Sequence, residues 1–371
     1  MDAELTWSDV GARVATARRL VGLSQEQVAE ALNVDRSAVA KIEAGRRQLS
    51  SLELVRLAER LERPLAWFVT SPPPAVASRR AQQAEQRSDP VGDLVLEDVS
   101  RDVALLVEVK SIRPPHQPGR YSAFGADDVE AVGTIATSVR DCMRVDRSKP
   151  LLALSDAAAR IGLYAYSLRL GEGAVDGCYA EVGDGIGVAV INGDRDSGHR
   201  RFVLAHEIGH HVLGDAFSTD WGGATGEHER AIDALARSIL IPPGISRRWS
   251  ELTLKYEKRS SAIILGAEYR VSWSLLLFRL RELSLITGSD LRVLDSRSPT
   301  RADYLEAGVR VEEELVAPEV STGVLQAAIR AYKKHKISAE RAVEIARGAV
   351  TVDELPARDE IPLEALRNEL A

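Results

Sequence analysis

The chain has 371 residues, of which 45% are hydrophobic and 28% charged, and its formal net charge is −7 at pH 7. This length predicts two or three domains rather than a single core. No apolar run reaches the length of a membrane span, and the first residues lack the positive and apolar segments of a secretory signal. The negative charge argues against indiscriminate coating of nucleic acid. Cys142 and Cys178 form no CxxC pair, so we expect two free thiols and a reducing cytoplasm.

Residues 1–72 predict a compact helical unit in which two short helices are joined by a tight turn. Ser24 and Gln27 have the spacing of a capping box at the start of QEQVAEAL, and Asp35 can cap RSAVAKIEA. Gly45 can end that helix in a left-handed conformation. Such a pair of helices suits the major groove of DNA. Apolar residues at helical spacing should form the shared core: Val28, Leu32, Val39, Ile42, Leu54 and Leu57.

The stretch LSQEQVAEALNVDRSAVAKIEAGRRQLSSLELVRLAERLERPLAWFV resembles the phage-repressor (XRE) type of helix-turn-helix. The resemblance implies a double-stranded DNA operator as partner, with Arg36, Ser37 and Lys41 facing base edges. It also implies backbone-phosphate contacts from Gln25, with Arg46 and Arg47 nearby. The alternative is a plain helical bundle used for dimerisation or peptide binding, and a homodimer is left open as a further partner. The balanced charge of this segment does not decide between them.

The stretch SPPPAVASRRAQQAEQRSDP follows Thr70 and predicts a semi-rigid spacer, since prolines and small polar residues mark domain boundaries. Helical periodicity returns in DLVLEDVSRDVALLVEVKSI. In the C-terminal quarter, GVRVEEELVAPEV predicts a strand or loop connector, and the basic run KKHK a solvated helix face. The expected division is a helix-turn-helix domain at 1–72, a linker and connecting helix at 73–126, a central domain at 127–250, and two helical regions at 251–295 and 296–371.

The stretch RFVLAHEIGHHVLGD lies on a predicted helix after three predicted strands, GLYAYSLRL, GCYAEVG and GIGVAVIN. On a helix, His206 and His210 lie one turn apart on one face, so both imidazoles can bind one metal ion. Glu207 is rotated away from the ligand face and is placed to accept a proton from metal-bound water. Zinc brings the pKa of such water to roughly 7. Zinc peptidases typically lay a substrate strand along the edge of such a sheet.

A third ligand is expected from the next helix. Leu213 and Ala216 stand where a metzincin needs glycine and histidine, so that class is excluded. Glu229 opens ERAIDALARSILIPP, and Asp233 one turn later could orient a ligand histidine through its free N–H. Two histidines and one carboxylate leave one coordination position for water, as in catalytic sites. The competitors for the third position are Glu227, His228 and Asp215.

Other polar residues of this region receive less specific expectations. We expect His211 to point away from the metal and His199 to be exposed. Which group would stabilise an oxyanion stays open among three residues: Tyr179, His228 and Arg200.

Together, GIGVAVINGDRDSGHRRFVLAHEIGHHVLGD and EHERAIDALARSILIPP resemble the ImmA/IrrE family of metallopeptidases, over roughly residues 127 to 290. The family pattern of a strand ending in Ile-Asn, an Arg-Arg-Phe lead-in, a ligand glutamate and a Leu-x-Pro ending matches Ile191-Asn192, Arg200-Arg201-Phe202, Glu229, and Leu240 with Pro242. Asp233 departs from the usual asparagine and Leu235 from the usual phenylalanine. The resemblance implies cleavage of a helix-turn-helix repressor at one bond, in stress response or mobile-element control.

These patterns predict an α+β, multidomain chain. An all-α helix-turn-helix bundle precedes a central zincin-like (gluzincin-type) domain with a small antiparallel sheet, and a helical C-terminal part follows. The expected cofactor is Zn²⁺, although Mn²⁺ can occupy such sites. Two alternatives remain: a metal-sensing or metal-stabilised regulator without protease activity, and an antitoxin-like binder with a decayed peptidase.

Overall fold

The computed structural model describes residues 5–61, 63, 65–69, 90–115, 121, 124–183, 185–214 and 225–360. Positions 71–89 of the expected spacer, Asp215 and Ala216 lie outside the described residues.

Five helices form the N-terminal unit: α1 (Trp7–Leu20), α2 (Gln25–Leu32), α3 (Arg36–Glu43), α4 (Ser51–Arg60) and α5 (Leu65–Val69). The predicted capping box is confirmed, because Ser24 and Gln27 each accept the other's backbone N–H at the start of α2. Asn33 turns the chain with a φ of 56°, and the Asp35 side chain accepts the N–H of Ala38 at 2.7 Å to begin α3. All six predicted core residues are buried. These contacts build two short helices around a tight turn.

A four-stranded sheet forms the centre of the following region: β1 (Leu163–Leu168), β2 (Gly177–Gly183), β3 (Ile186–Asn192) and β4 (Glu319–Val320). Its order is β2-β3-β1-β4, with β2 antiparallel to β3 and β4 antiparallel to β1. However, β1 and β3 run parallel, so the small sheet is mixed rather than antiparallel as expected. Every residue of β3 is buried. A strand that is apolar on both faces belongs at the centre, and β3 therefore lies between β1 and β2.

One face of the sheet is covered by α7 (Val129–Cys142), α8 (Leu154–Ala159), α9 (Ser197–Leu213) and α10 (Thr225–Leu240). Further helices extend this layer: α11 (Ile245–Thr253), α12 (Lys258–Tyr269), α13 (Trp273–Glu282), α14 (Gly288–Asp295) and α15 (Arg301–Glu306). The strands alternate between the two faces, because Leu163 and Ala165 join this core while Tyr164 and Tyr166 join the core on the other side.

The second face is covered by α6 (Pro90–Glu108), α16 (Thr322–Lys333) and α17 (Ala339–Ala346), followed by a short 3-10 helix at Val352–Glu354. Residues before 126, between 127 and 250, and after 295 thus pack into the same core on this face. The expected domain boundaries stay predictions. α6 also contacts the N-terminal unit: Leu94 is 1% exposed within that unit's core, and Arg63 forms an ion pair with Asp98.

Within the described parts of the chain, a single helix long and apolar enough to cross a membrane is not found. The helices Lys258–Tyr269 and Trp273–Glu282 meet that test as a pair, and they are bent by 109° relative to each other.

Candidate metal centre

The histidine-rich helix α9 packs directly against α10. Asp196 caps its start by accepting the N–H of His199 at 3.0 Å, and Gly214 ends it with a φ of 65°. A Cβ built on Gly209 would lie 2.7 Å from Cγ2 of the buried Ile232 on α10. The absence of a side chain at position 209 therefore sets how closely the two helices approach.

This approach brings His206, His210 and Glu229 together, with one potential ligand atom of each within 4.8 Å of the others. Nε2 of His206 lies 3.1 Å from Nε2 of His210 and 3.2 Å from Oε2 of Glu229. Nε2 of His210 lies 4.0 Å from Oε1 of Glu229. Ligand atoms about 2.0–2.1 Å from a tetrahedral zinc ion are separated by about 3.3 Å. This set of two imidazole nitrogens and one carboxylate therefore fits such an ion.

Asp233 accounts for the orientation of the first histidine. Its Oδ1 lies 2.9 Å from Nδ1 of His206, so Nδ1–H donates to the carboxylate and Nε2 faces Glu229. Burial lowers the pKa of His206, but the hydrogen bonds to Asp233 and Glu229 outweigh it and raise that pKa to about 10. The hydrogen bond from His206 in turn lowers the pKa of Glu229. Surroundings that favour a proton on His206 also favour a divalent cation in its place.

Glu207 directly follows His206, whose pKa its negative charge helps to raise, and it is buried, with 6% of its surface exposed. A Cβ built on Gly177, the first residue of β2, would lie 2.3 Å from Cγ1 of Val203 and 3.0 Å from Oε1 of Glu207. The start of β2 thus packs against α9 beside Glu207. Because Gly177 has no side chain, the Glu207 carboxylate has room at this contact.

His228, one of the competitors for the third position, lies near His210. Its ring centroid lies 6.2 Å from that of His210, whereas Glu227 is exposed and close to Arg230. Asp215 lies outside the described residues. The converging group contains Glu229 rather than either described competitor.

The other polar candidates have structural partners. His211 is buried; its Nε2 donates to the carbonyl of Ile161 at 2.8 Å, so its Nδ1 accepts from the Tyr179 hydroxyl at 3.1 Å. Arg200 donates to the carbonyls of Gly193, Arg195 and Glu314. These bonds make Tyr179 and Arg200 poor candidates for an oxyanion. His199 is half-buried rather than exposed, with Nε2 2.9 Å from Asp176.

Sequence reasoning missed the carboxylate that anchors α9. Arg201 is fully buried and pairs with Glu314, which also accepts from Arg270 at 2.5 Å. Glu314 further accepts the N–H groups of Ala153 at 3.2 Å and Leu154 at 3.1 Å. The only signal for this contact was Arg201 within the Arg-Arg-Phe lead-in, because its partner lies 113 residues away.

The predicted DNA-reading residues lie on α2, α3 and the turn after α3. Arg36, Ser37, Lys41 and Arg46 are exposed, whereas Arg47 is partly buried and pairs with Glu53 at 2.6 Å. Gln25 donates to Glu43, which also binds Arg18 at 2.6 Å. The exposed face of α3 is therefore open to a ligand, while Gln25 and Arg47 also support the fold.

The fold and these two sites define a DNA-binding regulator that carries a protease-family domain. Residues 14–68 match the helix-turn-helix family. Residues 158–281 match the peptidase family described as the IrrE N-terminal-like domain. The chain thus joins an XRE-type helix-turn-helix to an ImmA/IrrE-like domain.

No curated protein matches the chain significantly. The competence regulator ComR from Streptococcus vestibularis, in its apo form, matches with 11% identity over 98% of this chain and 97% of that chain. The TM-score of that match is 0.16.

Proposed function

We propose that the IrrE-like domain is a zinc-dependent endopeptidase that cleaves a repressor-type helix-turn-helix protein, in stress or mobile-element control. The observation that carries the proposal is the convergence of His206, His210 and Glu229 beside the buried Glu207, inside a segment that matches a peptidase family. The same nitrogen and oxygen donors would also accept manganese.

In this proposal His206, His210 and Glu229 hold the ion, and Asp233 orients His206. A bound zinc ion would supply a Lewis acid that polarises the peptide carbonyl and activates water at neutral pH. Glu207 accepts the proton of the attacking water on its carboxylate and passes it to the leaving amine as the peptide C–N bond breaks.

The sheet offers a place for an extended substrate. β2 is an edge strand, since no described strand pairs with it on the side away from β3. Its first residue, Gly177, contacts the helix face that bears Val203 and Glu207. A peptide added to this edge would pass the proposed base, because main-chain hydrogen bonds can hold an extended segment at an open strand.

The test compares wild type, Glu207→Gln and Glu227→Gln, each as the full chain loaded with zinc. Glu227 is an exposed carboxylate on α10 and serves as the matched control. The probe is a peptide library made by digesting a whole proteome, with new N-termini read by mass spectrometry. We expect the same cleavage by wild type and Glu227→Gln, and a loss of about 10²–10⁴-fold in Glu207→Gln, because general-base catalysis contributes about that much.

Metal content separates the outcomes. Glu207→Gln should retain one zinc per chain by elemental analysis, since Glu207 is not a proposed ligand. Cleavage by Glu207→Gln at the wild-type rate would contradict the proposed mechanism. Zinc-loaded wild type that cleaves nothing would favour the second candidate, a metal-sensing or metal-stabilised regulator, which the contact of the N-terminal unit with α6 also accommodates.

A further inference from the structure

Basic side chains from three distant segments meet on one surface at the C-terminal ends of α6 and α16. We call this surface, formed by residues 108–113, 330–336 and 358–360, the basic patch. The segments are joined by hydrogen bonds from Lys336 to the carbonyl of Val109 at 2.6 Å and from Arg330 to the carbonyl of Ser111 at 3.1 Å. Arg358 lies 3.2 Å from Nδ1 of His335. The run KKHK is thus only part of a larger cationic surface.

The basic patch carries a strong local excess of positive charge. Its three segments contain seven lysines and arginines but only three carboxylates, Glu108, Asp359 and Glu360, in a chain whose net charge is −7. Like charges repel one another, so clustering them opposes folding unless an anion compensates.

Part of this excess has a structural explanation. Lys336 and Arg330 bind carbonyls that follow α6, where cations stabilise the negative end of the helix dipole. Lys333 pairs with Asp359 at 3.0 Å. Lys110, Arg113 and Lys334 are different, because they are exposed and form no ion pair with any residue that the structure describes. Ion pairs with described residues therefore do not explain why these three cations are present.

We propose that the basic patch is a second DNA-binding surface, which contacts backbone phosphates without reading sequence. Exposed lysine and arginine side chains without ion-pair partners can bind a polyanion. The polyanion expected near this chain is duplex DNA, because the chain carries a helix-turn-helix unit. α6 connects the helix-turn-helix unit with the basic patch. Leu94, near the start of α6, lies in the core of that unit, and the basic patch lies at the C-terminal end of α6. Its 19 residues span about 28 Å, or about eight base pairs.

The test measures how the affinity of the full chain for a 40-base-pair duplex of random sequence falls with salt. The patch variant combines Lys110→Gln, Arg113→Gln and Lys334→Gln. The control variant combines Lys255→Gln, Arg281→Gln and Arg292→Gln, which removes three exposed cations from the helical region after the metal site. Both variants lose the same charge. A third variant, Arg36→Ala with Lys41→Ala, reports on the helix-turn-helix itself.

Each phosphate contact contributes about 0.9 to the slope of log affinity against log salt concentration. We therefore expect the patch variant to lower that slope by about 2–3 and the control variant to leave it at the wild-type value. An unchanged slope in the patch variant, or an equal fall in the control, overturns the inference. If only Arg36→Ala with Lys41→Ala weakens binding, the helix-turn-helix assignment stands and the basic patch is excluded. If wild type binds no duplex at low salt, both fail.

Discussion

Oδ1 of Asp233 lies 2.9 Å from Nδ1 of His206. Asp233 follows Glu229 by one helical turn on α10. α10 therefore supplies both a proposed ligand and the group that directs another ligand's ring. The bond from Nδ1–H to Asp233 fixes the ring so that Nε2 faces Glu229, and a carboxylate partner increases the basicity of the ring.

Replacing Asp233 should weaken metal binding without removing a ligand. We expect Asp233→Ala to lower zinc affinity by about 10–100-fold, because such outer partners typically contribute that much. Asp233→Asn should lose less, since its amide oxygen can still accept the proton of Nδ1. Competition against a chromophoric chelator at fixed pH measures both, with Glu227→Ala as the control. Equal affinities for Asp233→Ala and wild type would contradict this role.

The contact between Gly209 and Ile232 predicts a second effect. Alanine is a better helix former than glycine by about 1 kcal/mol. At position 209, however, the added methyl would lie 2.7 Å from a buried β-branched side chain, and overpacking costs about 1–3 kcal/mol. We therefore expect Gly209→Ala to unfold at lower urea concentration and to bind zinc more weakly, because α9 and α10 must separate.

Gly133 provides the matched control for this substitution. It also lies within a helix, α7, but a Cβ there would meet nothing within 4 Å. Gly133→Ala should therefore be neutral or stabilise the chain by up to about 1 kcal/mol. If Gly209→Ala and Gly133→Ala stabilise the chain by similar amounts, the Ile232 side chain moves to accommodate the added methyl group, and the predicted overpacking is wrong.

The sequence was most informative where the signals are local. The capping box at Ser24 and the cap at Asp35 involve residues three apart, and both are present. The spacing of His206 and His210 follows from the helix itself, and the predicted partners Glu229 and Asp233 lie beside them. Whether these residues bind metal stays a prediction.

Non-local pairing was harder to predict. The order of the strands depends on β3 entering between β1 and β2, which alternation along one strand does not encode. β4 comes from a segment interpreted only as a strand or loop connector, and it completes the sheet beside β1. Glu314 carries no motif, and its importance appears only when Arg201 and Arg270 meet it in the fold.

The ion pair between Arg63 and Asp98 predicts how the N-terminal unit is held on α6. Both side chains are mostly buried. Removing the cation in Arg63→Gln leaves the Asp98 carboxylate without this partner, at a cost of about 1–3 kcal/mol. Amides of α5 should then exchange hydrogen faster, as read by mass spectrometry. Adding Asp98→Asn should restore part of the protection, since the double variant has no unpaired charge there.

The exposed pair of Arg247 and Glu251 is a control for charge loss alone. Arg247→Gln should change exchange in α5 by nothing measurable, because surface ion pairs contribute only about 0–1 kcal/mol and this one lies on α11. Unaltered exchange in Arg63→Gln would show that apolar contacts such as Leu94 hold the unit without the ion pair.

The Glu314 carboxylate predicts an acid-dependent loss of stability. Burial raises its pKa, but the charges of Arg201 and Arg270 and the hydrogen bond from the Leu154 N–H outweigh burial, so the pKa is lower than usual. A carboxyl group whose folded pKa is depressed stabilises the fold fully above its unfolded pKa of about 4.3. That stabilisation is lost as the pH falls through the folded pKa. Glu314→Gln should therefore cost most near neutral pH, by about 3–5 kcal/mol, because Arg201 stays buried without its partner.

The measurement is the free energy of unfolding of wild type and Glu314→Gln between pH 7 and pH 3. The difference in free energy between them should shrink as the pH falls below about 4. Protonation then neutralises Glu314 in wild type, whereas the substitution removes this negative charge at every pH. Glu306→Gln, at an exposed carboxylate on α15, should change the free energy by less than about 0.5 kcal/mol at any pH. A difference for Glu314→Gln that stays constant down to pH 3 would mean that its hydrogen bonds, rather than its charge, hold α9 in place.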